Sequence, residues 1–184
     1  QAALERGAFV TLITGPAAID PPEGAKIVRV ETTEEMRKAA LAHFDDCDIA
    51  IKAAAPADYA PKNRSEQKLK KSELSGGELT LTLVPNADIV AELGRRKGNR
   101  VLVGFAAETQ DLEAHAREKL EKKDLDMIVA NDVTRDGAGF EGETNAVTIL
   151  TPGEPPVRTG VLSKHEIAHM VLDNALAIRR RKQE

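Results

Sequence analysis

A carboxylate and a group of lysines lie close together in the segment 48–71, DIAIKAAAPADYAPKNRSEQKLKK. The segment opens with a short apolar run at 49–51, which predicts a buried strand. Asp58 follows that strand, and three lysines, the first of them Lys68, end the segment. A carboxylate can bind Mg²⁺, and lysine ammonium groups can neutralise the oxygens of a polyphosphate. The pattern therefore indicates a polyphosphate site, although a strand, a polar loop and solvated lysines also form many ordinary surface connections.

The composition is that of an ordinary globular domain. The chain has 184 residues, of which 41% are hydrophobic and 30% are charged, and its net charge is −4. This length predicts one domain, residues 1–184, with a substantial core. The lack of a basic excess argues against non-specific nucleic-acid binding, and no apolar run approaches the roughly 18 residues that span a membrane. With no signal peptide in the sequence, we expect neither a nucleic acid nor a membrane as partner.

The single cysteine, Cys47, indicates a reducing compartment. It cannot form an internal disulfide, and it lies among Asp45, Asp46 and Asp48. These carboxylates are expected to raise the pKa of the thiol, which makes it a poor nucleophile. We therefore interpret Cys47 as structural and expect the protein to be cytoplasmic.

The succession of helical and strand patterns predicts a mostly parallel sheet between helices, a Rossmann-like, three-layer, doubly wound α/β fold. Capping boxes, formed by Thr32 with Glu35 and by Ser163 with Glu166, start two of the helices. The second of these helices has an apolar stripe at Ile167, Val171, Ala175 and Ile178, which we expect to be buried. The alternating stretch 78–83 predicts a half-exposed strand, which we assign to an added β flap or dimer arm. The other strands are expected at 9–13, 27–30, 49–51, 100–105, 127–130 and 145–150. Two further helices are expected, one starting at Asn86, a good N-cap, and ending at Gly94 or Gly98, and one at 109–123.

The first residues have the pattern of the end of a helix. Residues 1–6 have the composition of last helical turns, and Gly7 suits a left-handed cap. In doubly wound folds the first strand-to-helix turn often carries a glycine-rich phosphate loop. We therefore expect the first strand and the glycine-rich loop to be missing from this chain.

Five motifs occur in order along the chain, namely A-A-x-A-D-Y-x-P-K with K-x-K-K at 54–71, N-A-D-I-V at 86–90, V-G-F-A-A-E-T at 103–109, the pair Lys119 and Lys123, and G-F-x-x-x-x-N at 139–145. Together they resemble the phosphopantothenoylcysteine synthetases, CTP-dependent phosphopantothenate–cysteine ligases that form the C-terminal domain of bacterial bifunctional coenzyme A biosynthesis proteins. One departure is Ala87, where the family has a proline, which is favoured but not required at a first helical position. The resemblance covers nearly the whole chain.

The resemblance implies a ligase that joins 4′-phosphopantothenate to L-cysteine with CTP as co-substrate and Mg²⁺ as cofactor. An acyl-cytidylate would be the intermediate, and CMP and pyrophosphate the by-products. The resemblance also implies a homodimer. FMN belongs only to a fused decarboxylase domain, of which this chain shows nothing. The family's amino-terminal glycine-rich segment, with an asparagine that serves acyl transfer, is absent from these residues, so we expect this chain by itself to be inactive or nearly so.

The resemblance also assigns roles to residues of this chain. Lys68 is the catalytic candidate, placed to stabilise the acyl-cytidylate step, and it also contacts the nucleotide. Asp58 would bind the nucleotide and its metal ion. The rest of the implied nucleotide pocket consists of Lys52, Ala53, Ala54, Ala87, Asp88, Ile89, Val90, Phe105, Lys119 and Lys123. Asn131 lies in the segment A-N-D-V at 130–133, at the carboxyl end of a predicted strand, and is expected only to shape the site.

Two other functions remain open from the residues themselves. One is a non-catalytic nucleotide-binding regulatory or scaffold domain of the same fold. The other is a zinc hydrolase, because residues 165–169 read H-E-I-A-H, a string that places two histidines one helical turn apart. The other two histidines, His43 and His115, lie far upstream, so no third zinc ligand is evident in the sequence.

Overall fold

The computed structural model describes residues 1–65, 67–70, 78–108, 111–132 and 142–184. Its helices are α1 (Ala2–Glu5), α2 (Thr33–Phe44), α3 (Ile89–Gly94), α4 (Leu112–Lys122) and α5 (Lys164–Gln183). Its strands are β1 (Thr11–Thr14), β2 (Lys26–Arg29), β3 (Ile49–Lys52), β4 (Tyr59–Pro61), β5 (Leu83–Pro85), β6 (Val101–Glu108), β7 (Met127–Asp132), β8 (Thr144–Asn145), β9 (Val147–Leu150), β10 (Val157–Arg158) and β11 (Leu162–Ser163).

A five-stranded sheet forms the centre of the molecule, in the order β10-β9-β7-β6-β3. Strands β3, β6 and β7 are parallel, whereas β9 and β10 continue the sheet in antiparallel pairing. Strands β1 and β2 form a separate parallel pair. The parallel strands have the alternating helical connections that the sequence predicts, and their carboxyl ends meet at one edge of the sheet.

Helices cover both faces of the central sheet, which confirms the three-layer α/β prediction. Residues such as Leu102 and Ile128 point to one face, where they pack with α2, α3 and α4. Their neighbours Val103 and Met127 point to the opposite face and pack with α5. This alternation follows from the strand period of two, so a strand that is buried on both faces is apolar at nearly every position.

Helix α5 has the start and the buried face that the sequence predicts. The Ser163 hydroxyl accepts a hydrogen bond from the Glu166 backbone N–H, and the Glu166 carboxylate accepts one from the Ser163 N–H. The apolar stripe is buried as expected, at Ile167, Val171, Ala175 and Ile178. The capping box of α2, Thr32 with Glu35, is also confirmed.

The predicted strand at 78–83 is wrong in its position. The strand is β5, Leu83–Pro85, and it pairs antiparallel with β4, Tyr59–Pro61, where the sequence suggested a loop. One further hydrogen bond joins the Lys62 N–H to the Thr82 carbonyl. Alternation alone does not make a strand, because each strand also needs a partner, and the partner here has only three residues. The two strands nevertheless form a small, exposed β arm, as expected.

The start of α3 also differs from the prediction. The sequence favoured Asn86 as N-cap, but the N-cap is Asp88, whose side chain accepts a hydrogen bond from the Ala91 N–H at 3.1 Å. The side-chain amide N–H of Asn86 instead donates a hydrogen bond to the Ala57 carbonyl at 2.8 Å. Both residue types cap helices well, so the tertiary contact of Asn86 decides between them.

None of the described helices combines the length and the apolar character that crossing a membrane would require.

Candidate functional site

Charged groups from several elements meet around Lys52, the last residue of β3. Burial lowers the pKa of Lys52, and the nearby ammonium of Lys123 lowers it further. The carboxylates of Asp88 and Asp58 oppose this effect, and Lys119 adds to it. These electrostatic contributions require that the five groups lie near one another. The structure therefore brings together three cations and two carboxylates that are widely separated in the sequence.

Backbone hydrogen bonds hold Asp58 close to the start of α3. The Asp58 carbonyl accepts a hydrogen bond from the Asn86 N–H at 2.7 Å, and the neighbouring Ala57 carbonyl accepts one from the Asn86 side chain. The loop after β3 is thus tied to the residues before α3. The Asp58 side chain is exposed, so its carboxylate is accessible to a ligand or a cation.

Asp88 has a structural contact and an electrostatic one. It caps α3, and its Oδ2 atom lies 3.2 Å from Lys123 Nζ. Partial burial raises the pKa of Asp88, but the hydrogen bond from the Ala91 N–H and the charge of Lys123 outweigh it and lower the pKa. Asp88 is therefore an anion at neutral pH, and it orients the Lys123 ammonium toward the start of α3.

Gly94 explains how Lys123 comes so close to α3. Lys123 is the C-cap of α4, and its backbone N–H donates to the Lys119 carbonyl at 3.1 Å. A Cβ atom at Gly94 would lie only 2.1 Å from the Lys123 carbonyl oxygen. Only glycine allows the two helix ends to approach in this way. The position of the Lys123 side chain therefore depends on the glycine at the end of α3.

The small and apolar residues of the predicted pocket have two different environments. Ala53, Ala54 and Ala87 are exposed, so they leave open space beside Lys52. Ile89 and Val90 are 5% and 3% exposed, and they pack in the core between the sheet and α2–α4. Only the backbone of these two residues is therefore available to a ligand.

Phe105 lies on β6 but on the other face of the sheet from Lys52. Lys52 is in register with Gly104, and successive side chains along a strand point to opposite faces. Phe105 is half-buried and packs against the α5 side of the core. Packing requires a glycine at position 104, because an added Cβ would lie 2.7 Å from a Leu125 methyl group. The structure thus separates Phe105 from the charged groups by the thickness of the sheet.

Lys68 is exposed in the short segment 67–70. Its approach to the charged groups around Lys52 stays a prediction. Three predicted features lie outside the described residues, namely Lys71, Thr109 and the first part, 139–141, of the G-F-x-x-x-x-N string.

Asn131 is a polar group that the sequence indicated only loosely, as a residue that shapes the site. It lies on β7 in register with Ala107 of β6, near the carboxyl ends of the parallel strands. Its Oδ1 atom is buried, and it has no hydrogen-bond partner among the described residues. Buried polar atoms are rarely left without a partner. This oxygen is therefore able to accept a hydrogen bond from a ligand donor that reaches it.

The environment of Cys47 agrees with a structural role. Burial raises the pKa of the thiol, Arg100 opposes this, and Asp48 and Asp45 add to the rise. The expected direction of the shift is confirmed, but burial is its main cause. Cys47 packs at the edge of the core on the α2 side.

These features define a class of protein, the doubly wound α/β proteins that carry a charged site at the carboxyl ends of parallel strands, where ligands bind in open sheets. A family can also be given. The family described as "DNA/pantothenate metabolism flavoprotein C-terminal domain" matches residues 1–178, and the chain belongs to it.

Relatives and a solved structure agree with this family. The chain is 43% identical over 185 residues to the coenzyme A biosynthesis bifunctional protein CoaBC of Bacillus subtilis (strain 168), covering 100% of this chain and 45% of the relative. It is 48% identical over 153 residues to the protein of the same name from Vibrio vulnificus (strain YJ016), covering 83% and 38%. The crystal structure of the C-terminal domain of a CoaBC protein matches with a TM-score of 0.78 and 34% identity, covering 97% of this chain and 80% of that one. The chain thus spans less than half the length of the two curated relatives.

Proposed function

We propose that this chain is a phosphopantothenoylcysteine synthetase domain, which joins 4′-phosphopantothenate to L-cysteine with CTP during coenzyme A biosynthesis. The observation that carries the proposal is the set of charges around Lys52, in a chain 43% identical over its length to a coenzyme A biosynthesis protein. Three lysines and an accessible carboxylate suit a nucleoside triphosphate, whose oxygens they can neutralise and whose metal ion they can help to bind.

The reaction has two balanced steps. In the first, a carboxylate oxygen of 4′-phosphopantothenate attacks the α-phosphorus of CTP, forming an acyl-cytidylate and releasing pyrophosphate. In the second, the amine of cysteine attacks the acyl carbon, forming the amide, releasing CMP and losing a proton. Negative charge develops on phosphate oxygens in the first step, so positioned cations lower its barrier.

We assign Lys119 and Lys123 to the phosphate oxygens of CTP. They come from the last turns of α4, and their charges lie near Lys52, whose own ammonium is half-buried. Without a ligand these like charges repel one another, and a polyphosphate would remove the repulsion. Lys68 is the proposed catalytic residue, which would stabilise the acyl-cytidylate step from the exposed segment 67–70.

The residues present fit Mg²⁺. Mg²⁺ is usually bound by one or two carboxylates together with substrate phosphates, and Asp58 offers an exposed carboxylate next to the lysines. Asp88 is less suited, because its carboxylate already caps α3 and pairs with Lys123. When bound, the ion would neutralise charge on the phosphates. The start of α3, from Ala87 to Val90, would offer backbone N–H groups to the nucleotide.

Binding of CTP with Mg²⁺, measured by isothermal titration calorimetry, tests the site. We expect Lys123→Gln to weaken CTP binding by about tenfold or more, since a charge-assisted hydrogen bond contributes about 1.5–3 kcal/mol. Lys122→Gln is the matched control, because Lys122 is exposed on the same helix and has no assigned role. Equal affinity of the two variants would contradict the assignment.

Turnover in the naturally occurring full-length protein separates the ligase from its alternative. We expect CMP release that requires both 4′-phosphopantothenate and cysteine, and we expect Lys68→Gln to reduce that release strongly while CTP still binds. CTP binding without cysteine-dependent CMP release would favour the non-catalytic nucleotide-binding domain.

We also propose a homodimer in the cytoplasm. The β arm of β4 and β5 exposes apolar side chains, with Tyr59 at 61%, Leu83 at 53% and Val84 at 37% exposure. An exposed apolar patch on a two-stranded arm is typical of an association surface. The molar mass in solution tests this part, and a monomer at assay concentration would contradict it.

A further inference from the structure

Two histidines and a glutamate form a compact cluster on the α5 side of the molecule. His165 and His169 lie one turn apart on α5, and Glu5 is the last residue of α1. The Glu5 Oε2 atom lies 2.8 Å from His165 Nε2 and 3.3 Å from His169 Nε2. The two Nε2 atoms are 3.4 Å apart. Three atoms that are able to bind a metal ion therefore converge on one point.

The spacing of these atoms suits a tetrahedral metal ion. Zinc binds imidazole nitrogen and carboxylate oxygen at about 2.0–2.2 Å, which places two ligand atoms of a tetrahedron roughly 3.3–3.6 Å apart. Two of the three distances already have this length. The third, between Glu5 and His165, is shorter because it is a hydrogen bond. A small opening of the cluster would admit the ion.

We propose that Glu5, His165 and His169 form a binding site for one divalent cation of the zinc class, with a fourth position open to solvent. The side chains are partly exposed, at 38%, 52% and 30%, so an ion can reach them from solution. Imidazole nitrogens select zinc and similar transition metals, whereas Mg²⁺ and Ca²⁺ prefer oxygen ligands. This inference does not rest on the proposed ligase function.

The cluster is held in place without a metal ion. Arg6 joins α1 to α5 through its Nη1, 2.5 Å from Asp173 Oδ1, and through its Nη2, which donates to the His169 carbonyl at 3.0 Å. A site that is organised in advance loses less freedom when it binds its ligand.

One hydrogen bond must change when the ion binds. Arg6 Nε donates to His169 Nδ1 at 2.9 Å, so the neutral ring carries its proton on Nε2 and donates it toward Glu5. Binding of an ion at Nε2 requires this proton to move to Nδ1. Arg6 Nε must then turn away, while the contact with Asp173 can keep Arg6 on α5. The site is therefore coupled to the docking of α1.

The site is not that of a zinc hydrolase, although the string H-E-I-A-H suggested one. In such enzymes the glutamate of the string acts as general base. Here the Glu166 Oε2 atom accepts hydrogen bonds from the Ser163 N–H at 2.9 Å and the Ser163 hydroxyl at 2.7 Å. Glu166 is engaged in the cap of α5, so the inferred ion would join α1 to α5 rather than activate water. The third ligand, Glu5, was not evident in the sequence because it lies 160 residues from His165.

Titration of zinc ions alone into the metal-free 184-residue chain tests the proposal. We expect saturable binding of one ion, and a rise in the melting temperature as zinc is added, because a ligand that binds only the folded state stabilises it. His165→Ala and His169→Ala are expected to weaken binding by more than about tenfold, since even removing an outer partner of a metal ligand costs about 10–100-fold.

His43→Ala is the matched control, because His43 lies on α2, on the other side of the sheet. It is expected to bind zinc as the unchanged chain does. Melting of each variant without zinc checks that the variant folds. A further variant, Glu5→Gln, removes the negative charge of the third ligand with the least change in side-chain shape. The proposal is overturned if the unchanged chain shows no saturable binding. It is also overturned if His165→Ala and His169→Ala bind zinc with unchanged affinity.

Discussion

Lys52 is a residue at which stability and ligand binding oppose each other. Burial and two neighbouring ammonium groups lower its pKa, so the charged form is less favourable in the folded protein than in the unfolded chain. Proteins commonly retain such unfavourable groups where they bind ligands, and a perturbed pKa is a marker of such positions.

Replacement of Lys52 by methionine is expected to stabilise the protein and to weaken CTP binding. Removing like-charge repulsion contributes roughly a few tenths of a kcal/mol. Lys62→Met is the control, because Lys62 is exposed. Urea unfolding and calorimetric titration with CTP measure the two effects. A Lys52→Met protein less stable than the unchanged chain would show that charge repulsion at Lys52 does not lower the free energy of unfolding.

The pH dependence of this effect has a definite sign. The folded protein releases the Lys52 proton at a lower pH than the unfolded chain, whose lysine has the ordinary pKa of 10.5. Between the lowered pKa and 10.5 the unfolded state binds more protons, so the Lys52 contribution to the free energy of unfolding rises with pH in that window. Lys52→Met should lose this rise, and Lys62→Met should keep it.

The contact between the ends of helices α3 and α4 positions part of the candidate site. Gly94→Ala would place a methyl carbon 2.1 Å from the Lys123 carbonyl oxygen, so one helix end must move. We expect a loss of about 1–3 kcal/mol in the free energy of unfolding, as for other overpacked sites, together with weaker CTP binding.

Gly160→Ala is the control for this prediction. A Cβ atom at Gly160 would meet no other atom within 4 Å, and the residue needs no left-handed conformation. Thermal melting and CTP titration of both variants provide the comparison. If Gly94→Ala bound CTP as tightly as Gly160→Ala, the contact would not position Lys123 for the ligand.

Local sequence signals predicted the helices, whereas the predictions that were wrong depend on contacts between residues far apart in the sequence. The capping box at Ser163 and the stripe from Ile167 to Ile178 involve residues a few positions apart, so the sequence displays them directly. The choice of Asp88 over Asn86 as a cap depends on the Ala57 carbonyl, 29 residues away from Asn86. The sequence placed Asp58, Lys119 and Lys123 in one site only through resemblance, and it gave no signal of the contact between Gly94 and Lys123.

In the molecule as a whole, the buried carboxylate of Asp126 joins the central sheet to α5 and to the loop that follows α3. Asp126 precedes β7, its side chain is 8% exposed, and it lies 2.6 Å from Lys182 Nζ of α5 and 3.2 Å from Lys97 Nζ. Its second oxygen accepts a hydrogen bond from the Leu102 N–H of β6 at 2.8 Å. A carboxylate with three such partners is well compensated for its burial.

Asp126→Asn is expected to lower the free energy of unfolding by about 3 kcal/mol. Breaking a buried ion pair costs about 3–5 kcal/mol because charges are left uncompensated, and the low end applies since both lysines keep some exposure. Asp46→Asn, an exposed position, should change stability little. Melting temperatures of the two variants test this prediction. Equal melting temperatures would contradict the structural role of Asp126.

The charges around Lys52 come from four segments of the chain, namely β3, the start of α3, the end of α4 and the loop that carries Asp58. A polyanion bound among them would act as a cross-link, so that local opening of one segment would require the others to open as well. Amide hydrogen exchange in all of these segments should then slow together when nucleotide is added. The empty protein should show separate, faster rates for each.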